Sequence, residues 1–242
     1  MNYDVIIVGA GPGGIYSAYE LMKKCSDKKI AVFDSGYSLK KRHCPIDGEK
    51  VKACIKCKSC SIMSGFGGAG AFSDGKYNIT NDFGGTLYEY IGKKAATELM
   101  QYVDDINMAH GGEGTKMYST AGTNLKKVCL QNRLKLLNAS VRHLGTDINL
   151  VVLGQLYDEL KEHVDFYFES PVSHIECLEN GGYRVWSNDQ SYDCGKCIVS
   201  VGRSGSKWME HICKELDIPT KSNRVDIGVR VELPAVLFSH LT

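Results

Sequence analysis

Gly9, Gly11 and Gly14 stand in the turn GAGPGG with G-x-G-x-x-G spacing, directly after the apolar run YDVIIV. Residues of these types at this spacing handle a dinucleotide. The first glycine permits a tight exit from a strand, the second lets a pyrophosphate approach the backbone, and the third lets helix and strand pack closely. The free N–H groups and positive end of a helix starting near Gly13, with Pro12 beside it, hold the phosphates. Asp34, followed by Ser35, lies twenty residues past Gly14, where a carboxylate can accept bonds from ribose hydroxyls. A second set with chemistry in it is Cys44, Cys54, Cys57 and Cys60, within seventeen residues. Four thiolates can hold zinc or an iron–sulfur cluster, and C-x2-C-x2-C is closer to the compact cluster arrangement than to separated zinc knuckles. The Cys-Pro pair here precedes the triplet, whereas ferredoxin motifs carry it after. Structural or incidental thiols are the plain alternative.

Strands and turns must position these residues. YDVIIV reads as a buried parallel strand, Gly13 to about Cys25 as a helix, and KKIAVFDSG as a second strand ending at Asp34, which makes a βαβ unit. Residues 36–85 are rich in Gly, Cys and Lys and read as one long functional loop. Helical spacing returns in TLYEYIGKKAATELMQYVDDINMAHG, in TNLKKVCLQNRLKLLNA and in NLVVLGQLYDELKEHV, the last with Asn149 as its candidate cap. DFYFES reads as a strand. PVSHIECLE, GYRVWSN and SYDCG form an antiparallel meander, KCIVSV another buried parallel strand, SGSKWMEHICKELDI a helix, and RVDIGVRVEL a last strand.

FAD and NAD both use such a first turn. Three features favour FAD: the motif's place at the extreme N-terminus, a meander before the returning strand, and the second glycine turn Gly202-Arg203-Ser204-Gly205 which that strand delivers. Both turns can then line one extended cofactor; a plain strand-to-helix turn is the alternative for the second.

Taken together, GAGPGG, CP…CIKCKSC…SGFGGAGAFSDGK, HLGTD, SVGRSG and DIGVRVE resemble the flavoprotein superfamily typified by glutathione reductase. They resemble more closely a largely uncharacterised family of microbial FAD-dependent dehydrogenases. The resemblance implies a flavin bound by the first turn, Asp34, the GFGGAG loop and the GRSG turn, and implies no particular substrate. On that reading Gly67, Gly68 and Gly70 lie against the flavin, Ser73 and Asp74 hydrogen-bond its ribityl chain or ring edge, and Lys76 offsets negative charge on the reduced ring. It also adds a reading of the thiols as a dithiol exchanging electrons with the flavin, with Lys52, Lys56 and Lys58 favouring thiolates. Against the length of that family the chain resembles an N-terminal portion.

Composition fits a globular protein: 242 residues, 43% hydrophobic, with 29 basic against 28 acidic residues. The doublets Lys23-Lys24, Lys28-Lys29, Lys93-Lys94 and Lys126-Lys127, scattered among acids, read as solvated faces, not as a nucleic-acid surface. No signal-peptide pattern and no bilayer-spanning run occurs, so a cytoplasmic protein with reduced thiols and neither nucleic-acid nor membrane partner is expected. Cys194 and Cys197 read as core or turn residues. His143, near Thr146 and Asp147, can face a cofactor or substrate, but a structural role is the commoner one. No hydrolase motif is present.

The expectation is therefore an α/β protein with a glutathione-reductase-like, Rossmann-like FAD-binding domain over 1–222. It carries a β-meander, a Cys/Gly-rich insertion at 43–76 and a helical insertion at 86–139, with the start of a substrate domain at 223–242. Its function would be FAD-dependent oxidation or reduction of an unknown substrate. The alternative is a truncated nucleotide- or FAD-binding module without turnover.

Overall fold

The structure, a computed structural model, describes residues 2–179, 181–222, 225, 227–229 and 231–237. The first strand, β1 (Asn2–Val8), leads through the glycine turn into α1 (Pro12–Lys24) and back to β2 (Ile30–Phe33). A long excursion holds β3 (Lys76–Ile79), α2 (Tyr88–Ile91), α3 (Lys93–Asn107), β4 (Met117–Ser119), α4 (Leu125–Gln131) and β5 (Ser140–His143). The chain continues through α5 (Gly145–Leu160), β6 (Val164–Tyr167), β7 (Val172–Cys177), β8 (Tyr183–Ser187), β9 (Gln190–Val199) and α6 (Ser206–Glu215).

The main sheet has six strands in the order β6-β2-β1-β9-β8-β7. β1 pairs in parallel with β2 and β9, and β2 with β6, whereas β8 pairs antiparallel with both β7 and β9. The third meander segment and the returning parallel strand, two elements in the sequence reading, are one strand: Gln190–Val199 serves the antiparallel and the parallel side together. Along β1, Val5 and Ile7 enter a core with α1 and α5, while Ile6 and Val8 enter a second core with the meander and α6. A strand covered on both faces is apolar at every position, which is why VIIV shows no alternation. Each such side chain contributes about 1.5–3 kcal/mol of burial.

The expected loop at 36–85 contains a strand the periodicity did not predict. β3 pairs antiparallel with β5, and β5 with β4, forming a three-stranded sheet. The helical pattern at 86–111 breaks at Gly92, whose φ of 81° suits glycine and separates α2 from α3. That at 123–139 stops at Gln131: Asn132 Nδ2 donates to the Val128 carbonyl at 2.9 Å, and Arg133 takes a φ of 58°. α5 begins at Gly145, so Asn149 is a helix-interior residue and not its cap. Of the strand expected at 224–233, Arg224, Asp226 and Arg230 lie outside the described residues, as do residues 238–242 beyond it. Val225, Ile227, Val229 and Val231 are exposed and form no strand.

The small sheet is tied to α3 by a buried ion pair. Arg142 Nε and Nη2 donate to Asp104 Oδ1 and Oδ2 at 2.6 and 2.8 Å, and Nη1 donates to the Thr115 carbonyl at 2.6 Å. Asp104 holds the guanidinium more firmly protonated than usual. Removing one partner of such a pair strands the other charge. Asp104→Ala is expected to lower unfolding stability by about 3 kcal/mol in urea titrations, and Asp104→Leu with Arg142→Leu to restore most of it.

Candidate functional site

At the carboxyl end of the main sheet three chain segments meet. Asp34, just past β2, accepts the Ala10 N–H at Oδ2 (2.7 Å) and the Gly36 and Gly65 N–H groups at Oδ1 (2.7 and 2.8 Å). One carboxylate therefore ties the first glycine turn, the exit of β2 and the second glycine loop together. Gly67 N–H donates to the Ala10 carbonyl at 2.8 Å, and Phe66 N–H to Tyr37 at 3.1 Å, closing the junction with backbone bonds. A carboxylate has about four acceptor positions; among the described residues Oδ2 accepts one hydrogen bond, that from Ala10.

The glycines of the first turn divide by what surrounds them. At Gly14 a Cβ would collide with the Gly9 carbonyl, and at Gly9, with φ of 105°, it would meet Ser200. These two are fixed by the fold itself. At Gly11 the nearest atom to a Cβ would be the Gly68 Cα, 3.9 Å away. Gly11 is the N-cap of α1 in extended backbone and makes no side-chain cap bond; Pro12 follows it. The first-turn N–H groups of Gly13 and Gly14 thus have no intrahelical acceptor, the arrangement that receives anionic oxygens.

The second loop is held from below. Gly67 adopts a left-handed φ of 86° before a short 3-10 turn, Gly68–Phe72. Phe66 is fully buried and packs its ring against Tyr157, Phe166 and Phe168. Arg42, 5% exposed, donates to the carbonyls of Ser61, Ile62 and Phe66 at 2.8, 2.9 and 2.6 Å and lies over the Phe72 ring. Burial lowers the affinity of its guanidinium for the proton. Asn149, on α5, donates to the Gly70 carbonyl at 2.9 Å and accepts the Tyr77 hydroxyl at 3.0 Å. Tyr77 and Tyr16 are held neutral by burial.

Ser73, Asp74 and Lys76 follow at the exposed edge of this loop. Ser73 Oγ donates to the Gly70 carbonyl, and Lys76 Nζ lies 3.0 Å from Asp74, whose carboxyl it holds below the ordinary range. Ser35 is exposed beside Asp34. Ser200 Oγ, at the end of β9, bonds the carbonyls of Val8 and Gly9 at 3.2 Å, so the strand that delivers Gly202 and Arg203 is anchored on the first turn. Gly202 stands open, and Arg203 begins an exposed 3-10 turn. The expected cofactor residues Gly9, Gly11, Pro12, Gly13, Gly14, Asp34, Gly67, Gly68 and Gly70 therefore form one junction, with Ser35, Ser73, Asp74, Lys76, Gly202 and Arg203 at its margins.

The thiols do not form a comparable site. Cys54, Cys57 and Cys60 are exposed and Cys44 is half-buried, all as free thiols. Among the described residues no group of three or more His, Cys, Asp or Glu side chains is placed to hold a metal ion. The expectation of zinc or an iron–sulfur cluster at Cys44, Cys54, Cys57 and Cys60 finds no support. The segment runs irregularly, with Lys56 at a φ of 53° and its N–H turned back on Cys54 Sγ at 3.4 Å, so even spacing in sequence does not become convergence in space. Cys194 is buried and Cys197 half-buried in the second core, as read from sequence. His143 stands on the edge of β5 opposite Lys76, and His110 is buried, bonded to Ile106 and Glu159.

No protein-family model matches the chain, and no curated protein does. Among solved structures, glycine oxidase from Geobacillus kaustophilus aligns at 15% identity with a TM-score of 0.50, over 89% of this chain and 58% of that one. The fold is Rossmann-like, of the FAD-binding type. FAD-bound L-α-glycerophosphate oxidase from Mycoplasma pneumoniae aligns at 15% identity and TM-score 0.49, covering 88% of this chain and 57% of its own. L-amino acid deaminase from Proteus vulgaris aligns at 12% and 0.46, covering 89% and 50%. The chain thus spans between half and three fifths of these proteins.

Arg42 and Asn149 are supports that sequence reading missed or misplaced. For Asn149 a signal existed: it is the one amide on a stripe otherwise made of Val152, Leu153, Leu156 and Leu160. For Arg42, in the basic stretch Lys40-Lys41-Arg42-His43, none did. Asp34→Asn places an amide where three N–H groups converge and is expected to raise hydrogen-exchange rates at Ala10, Gly36 and Gly65 by roughly thirtyfold, leaving amides of β8 unchanged.

Proposed function

We propose that this chain is the cofactor-holding part of an FAD-dependent oxidoreductase. The observation that carries the reading is the open position at Gly11: first-turn N–H groups without acceptors, space where a Cβ would stand, and a second glycine loop facing it through Gly68. A diphosphate fits that cradle chemically, since it supplies the missing acceptors and needs close backbone approach. In this reading Gly11, Pro12, Gly13 and Gly14 receive the diphosphate, and the free position on Asp34 Oδ2 takes a ribose hydroxyl, with Ser35 beside it. Gly67, Gly68 and Gly70 back the flavin end, with Ser73, Asp74 and Lys76 at its edge and Gly202 and Arg203 closing from β9. When bound, FAD supplies hydride and electron transfer; the chain's part is to hold, orient and shield it. In this reading residues 1–222 make up the cofactor-holding domain.

A module that holds FAD or its ADP half without turnover is the second reading, favoured by the 58% span of the glycine oxidase. Bleaching of bound flavin by a reductant, followed by reoxidation with a two-electron acceptor, separates the two. The cofactor site itself is tested by Gly11→Ala beside Gly14→Ala. Gly11→Ala is expected to keep the wild-type circular dichroism and melting curve and to lose more than about tenfold in affinity for FAD and ADP by calorimetry. Gly14→Ala is expected to damage the fold. Unchanged FAD affinity in a folded Gly11→Ala protein contradicts the assignment.

A further inference from the structure

The connection from β4 to β5 projects from the small sheet as a closed excursion. Its base is fastened where Thr120 N–H donates to the Ala139 carbonyl at 3.0 Å and Thr120 Oγ1 donates to the Leu137 carbonyl at 3.1 Å. Beyond that base almost every side chain is exposed. Leu125, Val128, Leu130, Leu134 and Leu137 are 53%, 49%, 65%, 62% and 40% accessible, an arrangement unfavourable in water.

The charge of the same stretch is one-sided. No Asp or Glu occurs between Glu113 and Asp147. Of the cations there, Arg142 is consumed by Asp104, whereas Lys116, Lys126, Lys127, Arg133 and Lys135 have no ion pair among the described residues. The whole chain carries a formal charge of only +1, so this surplus is local. The Lys126-Lys127 doublet, a solvated face by its sequence, lines a shallow groove with Thr123, Asn124, Leu130 and Gln131.

We propose that residues 116–137 dock this protein on an anionic lipid surface. A bilayer interface offers apolar depth for the leucines and negative headgroups for the lysines together, and long basic side chains reach the headgroups while their neighbours enter. Nucleic acid would answer the charge and not the leucines. The apolar residues are spread over α4 and the irregular run after it, which suits a fluid surface better than one shaped groove on a folded partner. No helix among the described residues is long and apolar enough to cross a membrane, so the contact is peripheral. It stands independently of the flavin assignment.

Co-sedimentation of the full chain with vesicles tests this. Vesicles of phosphatidylcholine mixed with phosphatidylglycerol are expected to pellet the protein at low salt, those of phosphatidylcholine alone are not, and added salt weakens the binding. Lys126→Gln with Lys127→Gln is expected to lower the partition coefficient about thirtyfold. Leu130→Ser with Leu134→Ser, at unchanged charge, is expected to lower it about tenfold or more. All four positions are exposed, and circular dichroism of both variants should match the wild type. Equal binding to both vesicle types, binding to neither, or serine variants that bind like the wild type overturn the proposal. Retention on polyglutamate without vesicle binding overturns it in favour of an acidic protein partner.

Discussion

The side-chain carboxylate of Asp34 receives backbone N–H groups from Ala10, Gly36 and Gly65, and the geometry of the candidate site follows from that convergence. Backbone donors turned inward at a sheet edge are costly unless something accepts them. Here a single charged group accepts three, and by doing so sets the separation of two glycine segments that are far apart in sequence. Beyond Ala10, the first-turn N–H groups of Gly13 and Gly14 have no intrahelical acceptor and lie next to the open position at Gly11. The carboxylate is thus first a structural junction, and in the proposed reading its remaining acceptor position takes a sugar hydroxyl.

The junction needs support on both sides. Under it, the apolar strands β1 and β2 are buried on two faces, so their carboxyl ends have little freedom to shift. Beside it, the glycine loop would be soft on its own. Phe66 seated among Tyr157, Phe166 and Phe168, the Arg42 fork on three carbonyls and the Asn149 amide on Gly70 replace the regular hydrogen bonding that a glycine run lacks. Among the described residues Arg42 has no carboxylate partner at bonding distance; carbonyl dipoles solvate it, and this links the thiol-bearing segment before Ser61 to the loop after it. A side chain with five donors in a fixed fork suits that role in a way lysine cannot.

Much of this was legible in the sequence because local rules and tertiary demands agree there. The strand, glycine turn, helix and acid of the opening unit each follow from neighbouring residues, and the structure has them within a residue or so. Legibility failed where the deciding partner is remote. β3 is a strand because β5 lies beside it, and Gln190–Val199 is one element because β1 and β8 flank its two ends. The helix after Asn124 ends early because Asn132 bonds back to Val128, a competition that apolar spacing does not reveal. The evenly spaced thiols are the reverse case, a regular pattern in one dimension that forms no metal-holding group among the described residues.

The fold is Rossmann-like, of the FAD-binding type, while no protein-family model matches the sequence. Cofactor binding is accordingly the statement to test at the level of single atoms. The most direct measurement is the backbone amide NMR spectrum of the chain during titration with FAD. The account predicts large shifts at Gly11, Gly13 and Gly14 and at Gly68, with Ala10, Gly36 and Gly65 retaining the exchange protection that Asp34 gives them. Shifts confined to other surfaces, or loss of protection at those three amides when FAD binds, would contradict it.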